Sequence, residues 1–140
     1  MRRRKPAEER FFAKVEQRGE CWVWTGARQY SGYGRFLGDD HRVTGAHQWS
    51  WRFFRGPVPA GLVLDHLCRN RSCVNPDHLE PVTQRINVRR HTETITHCPR
   101  GHEYTPENTR QHRGQHGYQR GCRACARGWS KAWRDAKKGV

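Results

Sequence analysis

The sequence predicts a small α+β protein in which metal ligands, more than a large apolar core, hold the chain together. Only 34% of its 140 residues are hydrophobic, and the mean hydropathy is -1.10, so this chain buries less apolar surface than most domains of its length. Six cysteines and nine histidines supply metal ligands instead. Short helical and β-prone segments alternate along the chain, which indicates the mixed class.

The chain is strongly basic, with 27 Lys and Arg against 13 Asp and Glu and a formal net charge of +14 at pH 7. Such a surface favours a polyanionic partner, and nucleic acid offers the line of phosphates that it can follow. No window reaches the roughly 18 apolar residues of a membrane span. No apolar run follows the basic start. We therefore expect a cytoplasmic protein that is neither secreted nor bound to a membrane.

The N-terminal part is expected to form a basic arm, two helices and a hairpin. The amphipathic pattern over residues 8–17 predicts the first helix. Two β-prone runs at 21–24 and 34–37 flank a turn-rich segment and could pair. The second helix is predicted over 43–54, with Thr44 as its N-cap.

The middle of the chain predicts a compact ββα unit. An apolar strand over 62–67 leads into a polar loop, and a strand returns over 78–82. A helix follows from Thr83, its N-cap, to about Arg90. Beyond Thr96 aliphatic residues are scarce until a basic helix predicted over 123–138. We expect its Trp129 and Trp133, one turn apart, to dock onto the protein's own domain.

The cysteine spacing predicts two structural zinc sites. Cys98-x3-His102 and Cys122-x2-Cys125 together form a closed Cys3His set in a segment that has almost no apolar core of its own. Cys68-x4-Cys73-x4-His78 supplies three ligands of another site, for which Cys21 is the remaining cysteine. Alternatively, Cys21 is an ordinary buried thiol that binds no metal.

The end of the apolar strand carries residues suited to hydrolysis. His66 follows Asp65 there, and a neutral imidazole can take a proton from water at pH 7. Asp65 and Asn87, on the following helix, offer oxygen ligands of the kind that Mg2+ prefers. A base and a divalent ion beside one phosphate are the minimum for hydrolysing a phosphodiester.

The run Asp65-His66-x-Cys68-x4-Cys73-Val-Asn-Pro-x-His78-Leu-x7-Asn87 resembles the HNH, or ββα-metal, endonucleases, mainly those of phage type and the His-Cys box homing enzymes. The resemblance covers about residues 21–91. It implies that His66 is the general base, that Asn87 and Asp65 hold one catalytic Mg2+ (or Mn2+), and that Cys21, Cys68, Cys73 and His78 bind structural zinc. It also implies double-stranded DNA as substrate, a homodimer or successive nicks for a double cut, and the host cytoplasm if a phage encodes the chain.

These features give a division into a basic arm and helix (1–20), a nuclease core (21–95) and a second zinc segment with a basic helix (96–140). We expect five arginines to contact DNA. Arg85, Arg89 and Arg90 lie on or just beyond the helix that carries Asn87, and Arg113 and Arg120 lie in the basic stretch 110–120. The alternatives are a non-catalytic zinc-stabilised DNA-binding protein, which would leave Asp65, His66 and Asn87 without a role, and an RNA-binding zinc protein.

Overall fold

The computed structural model describes residues 4–114 and 117–138. The chain divides into two compact units, Met1–Val88 and Arg89–Val140. All sheets among the described residues are two-stranded and antiparallel. Together with the short helices they confirm the predicted α+β class. The first three residues of the predicted arm, and residues 115 and 116 of the basic stretch, lie outside the described residues.

The first unit is built from three hairpins and short helices around an aromatic core. Its elements are α1 Ala7–Phe12, β1 Val15–Arg18, β2 Cys21–Trp24, β3 Arg35–Leu37, β4 Val43–Gly45, α2 Ala46–Arg55, β5 Leu62–His66, a 3-10 turn Pro76–His78, β6 Leu79–Thr83 and the start of α3, Gln84–Glu93. Phe11 lies at the centre of the core, with ring centroids 5.1 Å from Trp24, 5.2 Å from Phe36 and 4.4 Å from Trp49.

The N-terminal segment differs from the prediction. The helix ends at Phe12, and Val15–Arg18 forms a strand that pairs with Cys21–Trp24. Gly19 has a φ of 61°, which suits the first central position of a two-residue hairpin turn. The Arg18-Gly19 pair therefore marks a hairpin and not the end of a helix.

The pairing of β3 also differs. β3 pairs with β4 and not with β2, so the predicted hairpin between residues 21–24 and 34–37 is wrong. Because β4 takes residues 43–45, α2 begins at Ala46 and not at Val43. Its first turn is capped by the Gln48 side chain, whose Oε1 accepts the Gly45 N–H at 3.1 Å.

The ββα unit forms as predicted. β5 and β6 pair from Leu62↔Thr83 to His66↔Leu79, and α3 follows directly. Thr83 Oγ1 accepts the Ile86 N–H at 3.3 Å, which is the expected N-cap bond.

The second unit is built from a hairpin and a helix. It contains β7 Thr109–Gly114, β8 Gly117–Cys122 and α4 Arg123–Lys138; α4 confirms the predicted tail helix, whereas the hairpin was not predicted. Among its described residues only Cys98 and Cys122 are buried. Trp129 and Trp133 are 66% and 61% exposed, so the expected docking of these rings is wrong.

Candidate metal sites and active site

The first Cys/His cluster brings together the four residues that the spacing and the resemblance predicted. The ligand atoms of Cys21, Cys68, Cys73 and His78 all lie within 4.8 Å of one another. His78 Nδ1 lies 3.6 Å from Cys21 Sγ and 3.5 Å from Cys73 Sγ. Zinc bonds of about 2.3 Å to sulfur and about 2.0 Å to nitrogen place tetrahedral ligand atoms roughly 3.5–3.8 Å apart. The side chains therefore fit a zinc ion.

Backbone pairing explains how Cys21, distant in sequence, reaches this cluster. The loop after β5 runs beside β2: Trp24 N–H donates to Ser72 O and Val74 N–H donates to Trp22 O, both at 2.8 Å. Asn75 fixes the far end of the loop, since its Nδ2 donates to Glu20 O at 2.9 Å and its Oδ1 accepts the Asp77 N–H at 3.0 Å. Its amide thus braces the loop from both sides.

The second cluster has the same ligand set in a different order. The ligand atoms of Cys98, His102, Cys122 and Cys125 again lie within 4.8 Å of one another. Cys98 Sγ lies 3.4 Å from His102 Nδ1 and 3.7 Å from Cys125 Sγ, which also fits the edges of a zinc tetrahedron. All six cysteines of the chain are free thiols, so disulfides do not compete with this use.

The thiols have different environments even within one cluster, since burial raises the pKa of Cys125 in the second cluster to about 11. Burial raises the pKa of Cys73 to about 12, so a bound cation has to replace its proton. In the second cluster the backbone N–H of Cys125 donates to Cys122 Sγ at 3.5 Å and lowers the pKa of that thiol to about 6. Cys122 therefore offers a thiolate readily.

His66 lies at the end of β5 with its ring fixed by the first cluster's loop. Its Nε2 is 3.0 Å from the carbonyl oxygen of Cys73. A carbonyl can only accept, so Nε2 carries the proton and Nδ1 of the neutral ring keeps its lone pair. Burial lowers the pKa of His66 and outweighs the hydrogen bond to Cys73 and the Asp65 charge, which act in the opposite direction. The neutral form of the ring is therefore favoured at pH 7.

Two aromatic side chains that sequence reasoning missed pack against the His66 ring. The His47 ring lies 5.0 Å from the His66 ring, and the Tyr33 ring lies 5.7 Å from it, centroid to centroid. Burial first, and the neighbouring His66 second, lower the pKa of His47 to about 4. No spacing motif links these positions, because the contacts depend on how β3 and α2 pack. We call Tyr33 and His47 the aromatic wall.

An arginine also packs against the Tyr33 ring. The Arg71 guanidinium lies 5.5 Å from the Tyr33 ring centroid, and its Nη1 donates to Ser31 O at 3.0 Å. Arg71 forms no ion pair with an acid among the residues that the structure describes. Its positive charge lies close enough to His66 to lower the pKa of that ring.

Asp65 is buried and precedes His66 in β5, and Asn87 lies on the helix that follows β6. Asp65 Oδ1 accepts a bond of 2.8 Å from Arg69 Nη1. Asn87 is half-buried as the fourth residue of α3. A carboxylate and an amide oxygen are hard ligands that suit Mg2+. Their joint role in holding an ion stays a prediction.

The arginines predicted to contact DNA fall into two groups. Arg85, Arg89 and Arg113 are exposed, and Arg89 pairs with Glu93 at 3.6 Å. Arg90 and Arg120 are half-buried. Arg120 is already engaged inside the second unit, where its Nη2 donates to two carbonyl oxygens.

Comparison with known sequences supports a nuclease. Residues 44–89 match the HNH endonuclease family. The chain is 40% identical over 42 residues to the "Uncharacterized gene 5.3 protein" of Enterobacteria phage T3, covering 30% of this chain and 42% of that protein. It is 38% identical over 68 residues to "Protein 7.7" of Escherichia phage T7, with 49% and 52% covered. "Protein 2.8" of the same phage is 33% identical over 75 residues, with 53% and 50% covered.

The chain thus spans about half the length of these curated relatives. No solved structure gives a significant match. No helix in the described part of the chain is long and apolar enough to cross a bilayer.

Proposed function

We propose that this chain, which carries a phage-type HNH endonuclease domain over residues 44–89, hydrolyses phosphodiester bonds of double-stranded DNA. The observation that carries the proposal is the hydrogen bond from His66 Nε2 to Cys73 O. It joins the base to a ligand of the first Cys/His cluster and leaves Nδ1 as the acceptor. Because the matched relatives are phage proteins, we propose the host cytoplasm as the location.

In the proposed reaction, His66 Nδ1 removes a proton from a water molecule. The water oxygen attacks phosphorus, the bond to the 3′ oxygen breaks, and solvent protonates the leaving 3′ oxygen. The products are a 5′ phosphate and a 3′ hydroxyl. The aromatic wall keeps the imidazole in one orientation, which raises the fraction of productive encounters.

Charged groups around the base complete the proposed site. Asp65 and Asn87 would hold one Mg2+ or Mn2+, which when bound stabilises the extra negative charge on the phosphate. Arg71 places a guanidinium near the same phosphate, where its N–H groups match phosphate oxygens. In this scheme both zinc ions have structural roles only.

A plasmid assay tests the proposal. Supercoiled plasmid is incubated with the protein and Mg2+ or Mn2+, and nicked and linear products are followed on a gel. We expect His66→Ala to lower the cutting rate by about 10²–10⁴-fold, the usual contribution of a general base, while DNA binding is kept. His41→Ala is the matched control, because His41 is an exposed histidine of the same unit.

Two results would reject the proposal: no cutting by the parent chain with any divalent ion or DNA, or equal rates for the parent and His66→Ala. Tight DNA binding without cutting would instead favour the non-catalytic zinc-stabilised DNA-binding protein. Linear product would indicate a double cut, which needs two sites and therefore a homodimer or successive nicks.

A further inference from the structure

The β7–β8 hairpin of the second unit projects from the second Cys/His cluster. Its strands pair from Thr109↔Cys122 at the base to Gly114↔Gly117 near the tip, and Cys122 is one of the cluster's ligands. An isolated two-stranded hairpin is only marginally stable in water. Zinc bound to Cys122 would anchor the base of the hairpin and supply the missing stability. Six residues per strand at about 3.4 Å each make a ribbon roughly 20 Å long.

The two faces of this ribbon differ because side chains alternate along each strand. The inner face carries Cys122 and Arg120 near the base and the exposed Arg113 and Tyr118 near the tip. Arg120 Nη2 donates to Thr92 O at 2.8 Å and to Ile95 O at 2.7 Å, and its guanidinium lies 4.1 Å from the Tyr104 ring centroid. At the base of the ribbon, the inner face therefore packs against its own unit.

The outer face carries Arg110, His112 and Gln119, which are all exposed. Its other positions are glycines. A Cβ at Gly121 would lie 3.1 Å from His112 Nδ1, and one at Gly114 would lie 2.5 Å from Gln119 Cδ. The polar side chains thus lie flat over bare backbone, which makes this face thin.

The charge of the ribbon suits an anionic partner. Residues 109–122 contain three arginines and no Asp or Glu. Arg113 is exposed near the tip. Hydrogen-bonding groups therefore cover the outer face, and positive charge flanks it.

We propose that the outer face of the ribbon enters the major groove of double-stranded DNA, where Arg110, His112 and Gln119 contact base edges and Arg113 contacts a phosphate. The major groove of B-DNA, about 12 Å wide, admits a two-stranded β-ribbon, whereas the deep, narrow major groove of A-form RNA does not. Arginine suits guanine and glutamine suits adenine there. The choice of DNA as the partner rests on the proposed nuclease function, whereas the geometry of the ribbon is independent of that function.

The test compares binding by full-length chains that all carry His66→Ala, so that no probe is cut. A random-sequence duplex DNA pool is enriched on this parent and sequenced. The same selection is made with Arg110→Ala/His112→Ala/Gln119→Ala added. Arg134→Ala is the matched control, since it removes one exposed arginine from the same unit. The zinc content of each variant confirms that the second unit is folded.

We expect the parent to enrich a defined sequence and to protect guanine N7 in it from dimethyl sulfate, since N7 lies in the major groove. The triple variant should lose this enrichment, and its Kd for the enriched duplex should rise roughly ten- to a hundredfold. Arg134→Ala should keep the same preferred sequence. A single Arg110→Lys variant, which keeps the charge but not the bidentate geometry, should relax the preference at one base pair.

The inference is overturned if the parent enriches nothing, if the triple variant enriches the same sequence, or if RNA or single-stranded DNA competes better than the duplex. Displacement by distamycin, a minor-groove ligand, would also overturn it. Failure of the nuclease proposal is distinguishable, because plasmid cutting is measured separately on chains with intact His66. If the chain never cuts DNA but shows the expected selection, the nuclease proposal is refuted and the proposal that the ribbon binds DNA is retained.

Discussion

The two units use the same ligand set, three cysteines and one histidine, in different structural settings. In the first unit the cluster adjoins an aromatic core in which Phe11 and Trp24 are fully buried. In the second unit the only buried residues among those described are two of the cysteines themselves, Cys98 and Cys122. The first cluster thus supplements a core, whereas the second replaces one.

Zinc bound at both clusters, as proposed, would have a different role in each unit. An ion at the first cluster would fix a loop whose Cys73 carbonyl orients His66, so its main effect would be on the position of the proposed base. An ion at the second cluster would supply the folding free energy of a segment that cannot bury enough apolar surface. Metal removal and single substitutions can separate these roles.

Zinc removal should have the largest effect, and only the second unit should unfold completely. Structural zinc contributes about 10–16 kcal/mol in small zinc-dependent folds, and the second unit has no apolar core to offset its loss. We expect Cys122→Ser to abolish the dispersed amide NMR signals of β7, β8 and α4. Cys21→Ser should leave the signals of α1 and α2 in place. If the β7–β8 hairpin stayed ordered without zinc, the contrast between the two units would be wrong.

Truncation of a core side chain should destabilise the first unit and leave the second unit unchanged. Phe11 contacts Trp24, Phe36 and Trp49, so Phe11→Ala should destabilise the first unit by about 3–5 kcal/mol through lost burial and the cavity left behind. Urea unfolding followed by near-UV circular dichroism measures this change. The second unit should keep its zinc, and loss of that zinc in the variant would show that the two units fold as one.

The parts of this protein that the sequence predicts are those set by local spacing. Both Cys/His clusters contain the predicted residues. Most ligands lie close together in sequence, and Cys21, which does not, was predicted only because it was the remaining cysteine. The ββα unit and α4 likewise follow from apolar runs and caps. The N-terminal hairpins do not, because the pattern over residues 8–17 fits a helix as well as a helix followed by a strand, and only pairing with Cys21–Trp24 decides between them.

The surroundings of His66 could not be predicted from the sequence for the same reason. Tyr33 and His47 contact His66 from elements 33 and 19 positions upstream, and the packing of whole elements sets such contacts. The β7–β8 hairpin was missed because its strands lack the apolar alternation of a half-buried strand. Its outer residues are polar because nothing in its own unit covers them.

The acid sensitivity of the first unit should decrease when His47 is replaced. Its pKa is about 4 in the folded chain and about 6.5 when unfolded, so the unfolded state binds the extra proton between these values. The stabilisation is fully present above pH 6.5 and is lost as the pH falls to 4, by about 3 kcal/mol. His47→Gln should remove this part of the slope of unfolding free energy against pH.

The variant is compared with the parent because both have the same zinc ligands, so acid should release zinc from both alike. His41→Gln, at an exposed histidine of the same unit, should leave the slope unchanged. Parallel curves for the parent and His47→Gln would contradict this expectation and show that His47 is solvated in the folded chain.

The smallest effect is expected from the large side chains of α4. Trp133 is 61% exposed, and the Lys137 Nζ lies 4.3 Å from its ring centroid. Trp133→Ala should therefore change the stability of the second unit by less than about 0.5 kcal/mol, as for most surface substitutions. Zinc affinity measured by competition with a chromophoric chelator reports this stability, because folding and metal binding are coupled there. A tenfold loss of zinc affinity would mean that this ring belongs to a core, and the second unit would then resemble the first.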